Sequence, residues 1–275
     1  MVTHTPFVHL HLHTKFSRLD STITVKGLVD RAKELGMPAV AITDHGNIDG
    51  VEVFAEVCKE AGIKPIIGCE MHIVDELPVS PMARTSHLLL LSETSEGYAN
   101  LRRLVAFSHK EGFHHLPRID KKVLRQHAEG VIALSACLKG EIPYLCWRDK
   151  DDEAVAVARE YAGIFPGRFY LELNGNGLPE QRVANRGLLR IAKELALPVV
   201  ATNDCHYINR DDAFEHEKLL CTQTGKSITD PTHMRFSANE FYLKSPDEMA
   251  EAFAYAPQAI INTLKIAERC ELLTV

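Results

Sequence analysis

The chain has 275 residues, 45% hydrophobic and 25% charged, with a formal net charge of −6. That is ample for one large α/β domain and thin for two; no run approaches the ~18 apolar residues of a membrane span, and no basic stretch followed by an apolar one marks a signal peptide. The acidic balance argues against a general nucleic-acid coat, and seven cysteines without a Cys-x-x-Cys pair argue against a disulfide framework, so a cytoplasmic protein is expected.

Phe7 to His13 alternates apolar residues with imidazoles and reads as a strand, with His9, His11 and His13 on one face. Thr24 to Leu35 has helical periodicity and stops at Gly36. Ala39 to Thr43 reads as a short buried strand, Asp49 to Ala61 as a helix closed by Gly62, and Lys64 to Cys69 as a third strand. Residues 75–85, with Pro78 and Pro81, form a loop before the apolar run Leu88 to Leu91. A helix from about Ser95 to His109 follows. Later strands are expected at Val131–Leu134, Phe169–Leu173 and Val199–Thr202, with helices near 152–164 and 179–196. Past Ala213 the pattern changes to a helix, an irregular stretch from Gly225 to Lys244, and two further helices.

Alternating strands and helices imply a parallel sheet with helices outside, and seven strand candidates suggest a closed or nearly closed barrel. The barrel core is expected over about 6–210, with a helical and irregular extension over about 211–275. In such barrels the working residues lie at the C-terminal ends of the strands. The residues found there are His11 and His13, Asp44 and His45, Glu70, Cys137, and Asp204 with His206. His87 is the exception, since it precedes its strand.

These are metal-binding side chains. Imidazole is a common ligand, Glu70 can bridge two ions, Asp20 and His45 add an oxygen and a nitrogen, and Cys137 offers a thiolate once a cation depresses its pKa. Mixed nitrogen, oxygen and sulfur donors favour zinc, with manganese or iron as alternatives. Asp44 reads as a carboxylate that orients a ligand or, alternatively, as a catalytic group. His72, His109, His114, His115, His127, His216 and His233 read most simply as solvated or capping residues.

Taken together, His11-x-His13, Thr43-Asp-His-Gly46, Gly68-Cys-Glu70, His87, the run from Leu134 to Glu141, and Asn203-Asp-Cys-His-Tyr207 resemble the polymerase-and-histidinol-phosphatase (PHP) domain. The form at the N-terminus of the bacterial replicative DNA polymerase III alpha subunit is the nearest in pattern. The resemblance runs over about residues 6 to 273 and implies a distorted seven-stranded (β/α) TIM-like barrel, with its metal site at the C-terminal strand ends. It places nine metal ligands at His11, His13, Asp20, His45, Glu70, His87, Cys137, Asp204 and His206. In this reading His11, His13, Glu70 and Asp204 surround one ion, Asp20, His45 and His206 a second, and Glu70, His87 and Cys137 a third. Asp20-Ser21 stands where the family usually has Asp-Gly, and Asn174-Gly-Asn-Gly177 where polymerase relatives carry bulkier polar residues. No polymerase palm is expected within the chain.

The function implied is metal-assisted phosphoester hydrolysis, in which a hydroxide with pKa lowered to ~7 attacks phosphorus in line. Three dications against the acidic ligands leave a site of roughly +2, a sign that draws phosphate into an otherwise acidic protein. A 3′→5′ DNA exonuclease of the proofreading type is the first expectation, acting on DNA 3′ ends as part of a replicative polymerase. The rivals are a small-molecule phosphatase of the histidinol-phosphatase type and a metal-stapled scaffold domain without activity. Arg118 and Lys15, near expected rim loops, are weaker candidates for gripping phosphate.

Overall fold

The computed structural model describes residues 6–78 and 84–272, so Pro81 of the expected 75–85 loop lies outside the described residues. Strands β1 (Ala39–Ile42), β2 (Lys64–Val74), β3 (Ser86–Ser92), β4 (Arg118–Asp120), β5 (Val131–Leu134), β6 (Phe169–Asn174) and β7 (Val199–Thr202) form one sheet. Its order is β1-β2-β3-β5-β6-β7, with β4 pairing alongside β2. The helices are α1 (Val25–Glu34), α2 (Val51–Ala61), α3 (Ser95–Lys110), α4 (Lys121–Gln126), α5 (Glu141–Trp147), α6 (Asp151–Ile164) and α7 (Pro179–Leu195). After the last strand come α8 (Ala213–Thr224), α9 (Pro246–Ala252) and α10 (Pro257–Arg269). Thr24 and Thr94 cap α1 and α3 by accepting from the amides of Gly27 and Gly97. Among the described residues, no helix is long and apolar enough to cross a membrane.

Residues 7–13 close the curl between the two ends of the sheet. On one side the amides of Ala41 and Thr43 donate to the carbonyls of His9 and Leu12, both at 2.9 Å. On the other, His13 donates to the Cys205 carbonyl and Cys205 to that of His11. The result is a distorted α/β barrel. The segment is not the regular strand expected of it, because β1 advances two residues while this segment advances three between the same pair of bonds. That is the signature of a bulge. Val8 and Leu10 therefore join the interior core with Ala41, Ile66, Leu89, Leu134 and Val200. Past the bulge, His11 and His13 take over the inward side.

His9 is left out of the row of three. Its Nε2 lies 2.9 Å from the Lys244 carbonyl, and it packs edge-on against Phe7.

The sheet is also not wholly parallel. β3 runs antiparallel to both β2 and β5, while β1-β2, β2-β4, β5-β6 and β6-β7 are parallel. β2 continues five residues beyond its expected end at Cys69, and β4, α4 and α5 have no counterpart in the sequence reading.

The C-terminal region is built into the barrel at both ends. α10 lies across the floor, where the Asn262 amide donates to the Val199 carbonyl, Lys64 Nζ to the Ala267 carbonyl, and Arg269 pairs with Glu93. At the opposite end, the buried Lys244 ammonium donates to Asn203 Oδ1 and the carbonyls of Gly175 and Glu240. The irregular stretch before α9 is thereby tied to the ends of β6 and β7.

Candidate metal centre

Alternation along each strand turns the barrel interior from apolar at the floor to polar at the top. On β2 the inward positions run Ile66, Gly68, Glu70, His72; on β3, taken from its C-terminal side, Leu91, Leu89, His87. On β6 Tyr170 is followed by Glu172, and on β7 Val200 by Thr202. The reversed direction of β3 resolves the position of His87. Its N-terminal end is level with the C-terminal ends of its neighbours, and His87 stands opposite His72 in the β2–β3 register.

All nine side chains expected as ligands meet there. His11 Nε2 lies 3.3 Å from Glu70 Oε1 and 3.2 Å from Asp204 Oδ1. His13 Nε2 lies 3.3 Å from Glu70 Oε2 and 3.4 Å from Asp204 Oδ1, and His206 Nε2 is 3.2 Å from the same Asp204 oxygen. His45 faces Asp20 Oδ2 through Nε2 and Glu70 Oε2 through Nδ1, each at 2.9 Å. His87 Nδ1 is 3.0 Å from Glu70 Oε1, and the Cys137 sulfur joins Glu70 and His87 with ligand atoms all within 4.8 Å of one another. Two of the turns that aim these groups are strained: Ala136, before Cys137, has φ +63° and Asp204 itself +53°.

Acceptors behind the histidines fix which nitrogen faces inward. His11 Nδ1–H donates to Glu172 Oε1 at 2.6 Å, and the Thr202 hydroxyl donates to the same oxygen. His13 Nδ1–H donates to Ser17 Oγ, which donates in turn to Asp44 Oδ1. His206 Nδ1–H donates to the Asp20 carbonyl. The Nε2 lone pairs of all three rings are thus directed at carboxylate oxygens. Such an arrangement is repulsive unless protons or metal cations lie between them.

The charge balance agrees. Burial by itself would raise Glu70 and Asp204, but the surrounding histidines hold both well below the usual carboxylate range. Burial would lower His45, yet Glu70 and Asp20 push it up to about 9. Burial and the neighbouring carboxylates push the Cys137 thiol well above its ordinary value, so a thiolate there requires a cation. His45 Nδ1, Glu70 Oε1 and His87 Nδ1 are buried, and the close approaches of the two rings to Glu70 are too poorly aligned to be hydrogen bonds. Orphaned donors of this kind, on nitrogen and oxygen ligands around a thiol, fit divalent transition-metal ions.

Two clefts open onto the cluster, and both are lined by Asp20, His45, His87 and Lys139. The first runs between Leu138, Leu178, Phe236 and Phe241; the second is walled by Phe16, Phe113, Leu116 and Met234. Among the described residues, no carboxylate stands within ion-pair distance of the Lys139 ammonium.

The other phosphate and catalytic candidates are placed elsewhere. Arg118 is engaged by Thr85 Oγ1 and the His114 carbonyl and lines neither cleft, nor does Lys15. Asp44 accepts from the Thr14 amide and hydroxyl and from Ser17, so it acts on the cluster through Ser17 and His13 rather than by direct contact.

Glu172, Ser17 and Lys139 stand at the cluster and have no role in the sequence analysis. His72 and His216, expected to be solvated or capping, are buried; His72 is pushed down to about 2 by burial and by the neighbouring His87 and His45. His216, from α8, shares the Asp20 carbonyl with His206.

Residues 9–176 match the PHP domain family, 168 of 275 positions, a span that ends before Asp204 and His206. The chain is 42% identical over 278 aligned residues to the DNA polymerase III subunit alpha of Helicobacter pylori strain J99, covering 97% of this chain and 23% of that protein. It is 40% identical to the corresponding subunit of Treponema pallidum, again over 97% of this chain and 23% of the relative. The chain therefore spans about a quarter of the length of these curated relatives. A crystal structure from Bifidobacterium adolescentis, described as a metal-dependent phosphoesterase, superposes with a TM-score of 0.49 at 17% identity, covering 90% of this chain and 96% of that one.

Proposed function

The chain belongs to the PHP domain family, and from that membership we propose that it is a metal-dependent phosphoesterase that removes nucleotides from DNA 3′ ends. The observation that carries the proposal is the convergence of nine side chains on one cluster in which His45 Nδ1, Glu70 Oε1 and His87 Nδ1 are buried without a well-aligned hydrogen bond. His11, His13, Glu70 and Asp204 would hold one ion, Asp20, His45 and His206 a second, and Glu70, His87 and Cys137 a third. Zinc suits this mixed donor set, with manganese or iron as substitutes. Bound ions would supply Lewis acidity toward phosphoryl oxygens and lower the pKa of water.

The protein's own residues orient and select. Glu172 and the Ser17–Asp44 pair hold protons on the outer nitrogens of His11 and His13, keeping the inner nitrogens available as ligands. Lys139, lining both clefts and without an acidic ion-pair partner among the described residues, would take a non-bridging phosphate oxygen. A diester has a chain on either side of phosphorus, and two clefts meeting at the cluster suit it better than a monoester. The names of the relatives support DNA as substrate and the remainder of a replicative polymerase as the partner.

The test is a gel assay with a 5′-labelled primer, matched or mismatched at its 3′ end, in zinc or manganese, with His13→Ala alongside. A ladder shortening from the 3′ end in the parent and absent in the variant is the expected result. An uncut primer with metal bound would overturn the exonuclease reading. Turnover of p-nitrophenyl phosphate in its place would move the assignment to a small-phosphate hydrolase.

A further inference from the structure

His72 belongs to the cluster by position but has no place in the nine-residue set. It follows Glu70 by two residues on β2, so both face inward, and it stands opposite His87 across the ladder. Its ring centroid is 5.0 Å from that of His87 and 5.7 Å from that of His45. One ring nitrogen from each of the three lies within 4.8 Å of the others, and His72 Nδ1, like those of His45 and His87, is buried without a hydrogen bond. All three rings line the second cleft, and His72 does not line the first.

The trio itself is three imidazoles, with Glu70 at its inner edge, 2.9 Å from His45 Nδ1 and 3.0 Å from His87 Nδ1. Three imidazoles bind zinc, cobalt, nickel or copper ions once metal displaces the proton on His45, with nitrogens roughly 3.4 Å apart at tetrahedral bond lengths. The trio's own side chains bring no negative charge, so it holds an ion less firmly than the carboxylate-rich set beside it. It also shares His45 and His87 with that set, and a neutral imidazole has one lone pair to give. Occupation of the trio and full occupation of the inner set are therefore alternatives in time.

We propose that His45, His72 and His87 form a three-histidine loading site for divalent transition metals in the second cleft, from which ions pass to the cluster around Glu70. This rests on the metal-centre reading given above.

The experiment mixes metal-free protein with cobalt(II) in a stopped-flow spectrometer and compares the parent with His72→Phe and His72→Asn. Cobalt on nitrogen alone gives weak visible bands, whereas cobalt reaching the Cys137 thiolate adds a near-ultraviolet charge-transfer band. The parent should show the visible bands first and the thiolate band later. Both variants should lose the early phase and acquire the thiolate band at least about tenfold more slowly. Their final cobalt content and their circular dichroism should match the parent. Unchanged uptake kinetics in folded variants would overturn the proposal. A fall in final cobalt content by one equivalent would also overturn it, making His72 a resident ligand. A parent that binds no cobalt would refute the metal centre itself, an outcome distinct from the first two.

Discussion

The His11 ring donates from Nδ1 to Glu172 Oε1 at 2.6 Å, with both side chains fully buried. One carboxylate thus sets the tautomer of a ring whose other nitrogen faces Glu70 and Asp204. Outer carboxylates of this kind raise the basicity of a ligating imidazole and hold its orientation. Glu172→Gln removes the charge while preserving shape. It should weaken metal binding by about 10–100-fold, with little change in circular dichroism. Competitive titration against a chelating dye reads the affinity directly, and an unchanged value would deprive Glu172 of this role.

The same cluster predicts opposite pH trends for metal-free and loaded protein. Burial disfavours charge on His45, but Glu70 and Asp20 outweigh it and raise its pKa from 6.5 to about 9. The stability contributed by its protonated form is complete below 6.5 and is lost as the pH rises through 9. Metal ions compete with that proton, and with those on His11 and His206, which are also raised against the effect of burial by neighbouring carboxylates. The melting temperature of chelated protein should therefore fall across this window, while metal affinity climbs by about tenfold or more per pH unit. Melting curves recorded with and without metal should diverge toward high pH. Parallel curves would mean that these histidines do not titrate against metal.

Much of this site is legible in the sequence, because metal-type side chains recur at strand ends and alternation assigns them a face. Glu172 was equally legible: it follows Tyr170 by two residues in a strand buried on both faces, where a carboxylate requires a partner. The reversal of β3 also left a trace. Residues 75–85 are too few, and too rich in proline, for the crossover helix that a parallel neighbour needs. An antiparallel β3 would have removed the anomaly of His87. By contrast, the bulge that turns His9 away depends on which amides of β1 meet which carbonyls of residues 7–13. The burial of His216 likewise depends on how α8 packs over the barrel mouth. Those are properties of long-range packing, with no local pattern to announce them.

Removing metal should separate a catalytic centre from a structural staple. The apolar floor, from Val8 and Leu10 to Val200 and Ile266, lies beneath the cluster and includes none of the proposed ligands. The metal-free barrel is therefore expected to stay folded at 25 °C. An ion present at 100 times its dissociation constant adds about 2.7 kcal/mol per site. For a domain of this size that is roughly 5–10 °C in melting temperature. Chelation should lower the melting temperature by about that amount per site and abolish hydrolysis, leaving the far-ultraviolet spectrum in place. Loss of the helical signal on chelation would favour the scaffold reading.

Lys139 provides the sharpest separation between holding metal and holding substrate. Its side chain lines both clefts, and against the effect of burial its pKa is raised by Cys137, Asp20, Glu70 and Asp204, whose charges bound ions would neutralise. A lysine left unpaired over a loaded centre is available to a phosphate oxygen. In Lys139→Gln the ligands are intact, so metal content should equal that of the parent. The loss should fall on the substrate, with KM for a single-stranded oligonucleotide raised about tenfold and kcat reduced less. Lys139→Arg should recover most of the difference, since it restores the charge. The parent's KM should also rise more steeply with salt than the variant's, because one phosphate contact is missing from the variant. If Lys139→Gln instead lost metal and kept its KM, the side chain would be supporting the Cys137 loop rather than gripping phosphate.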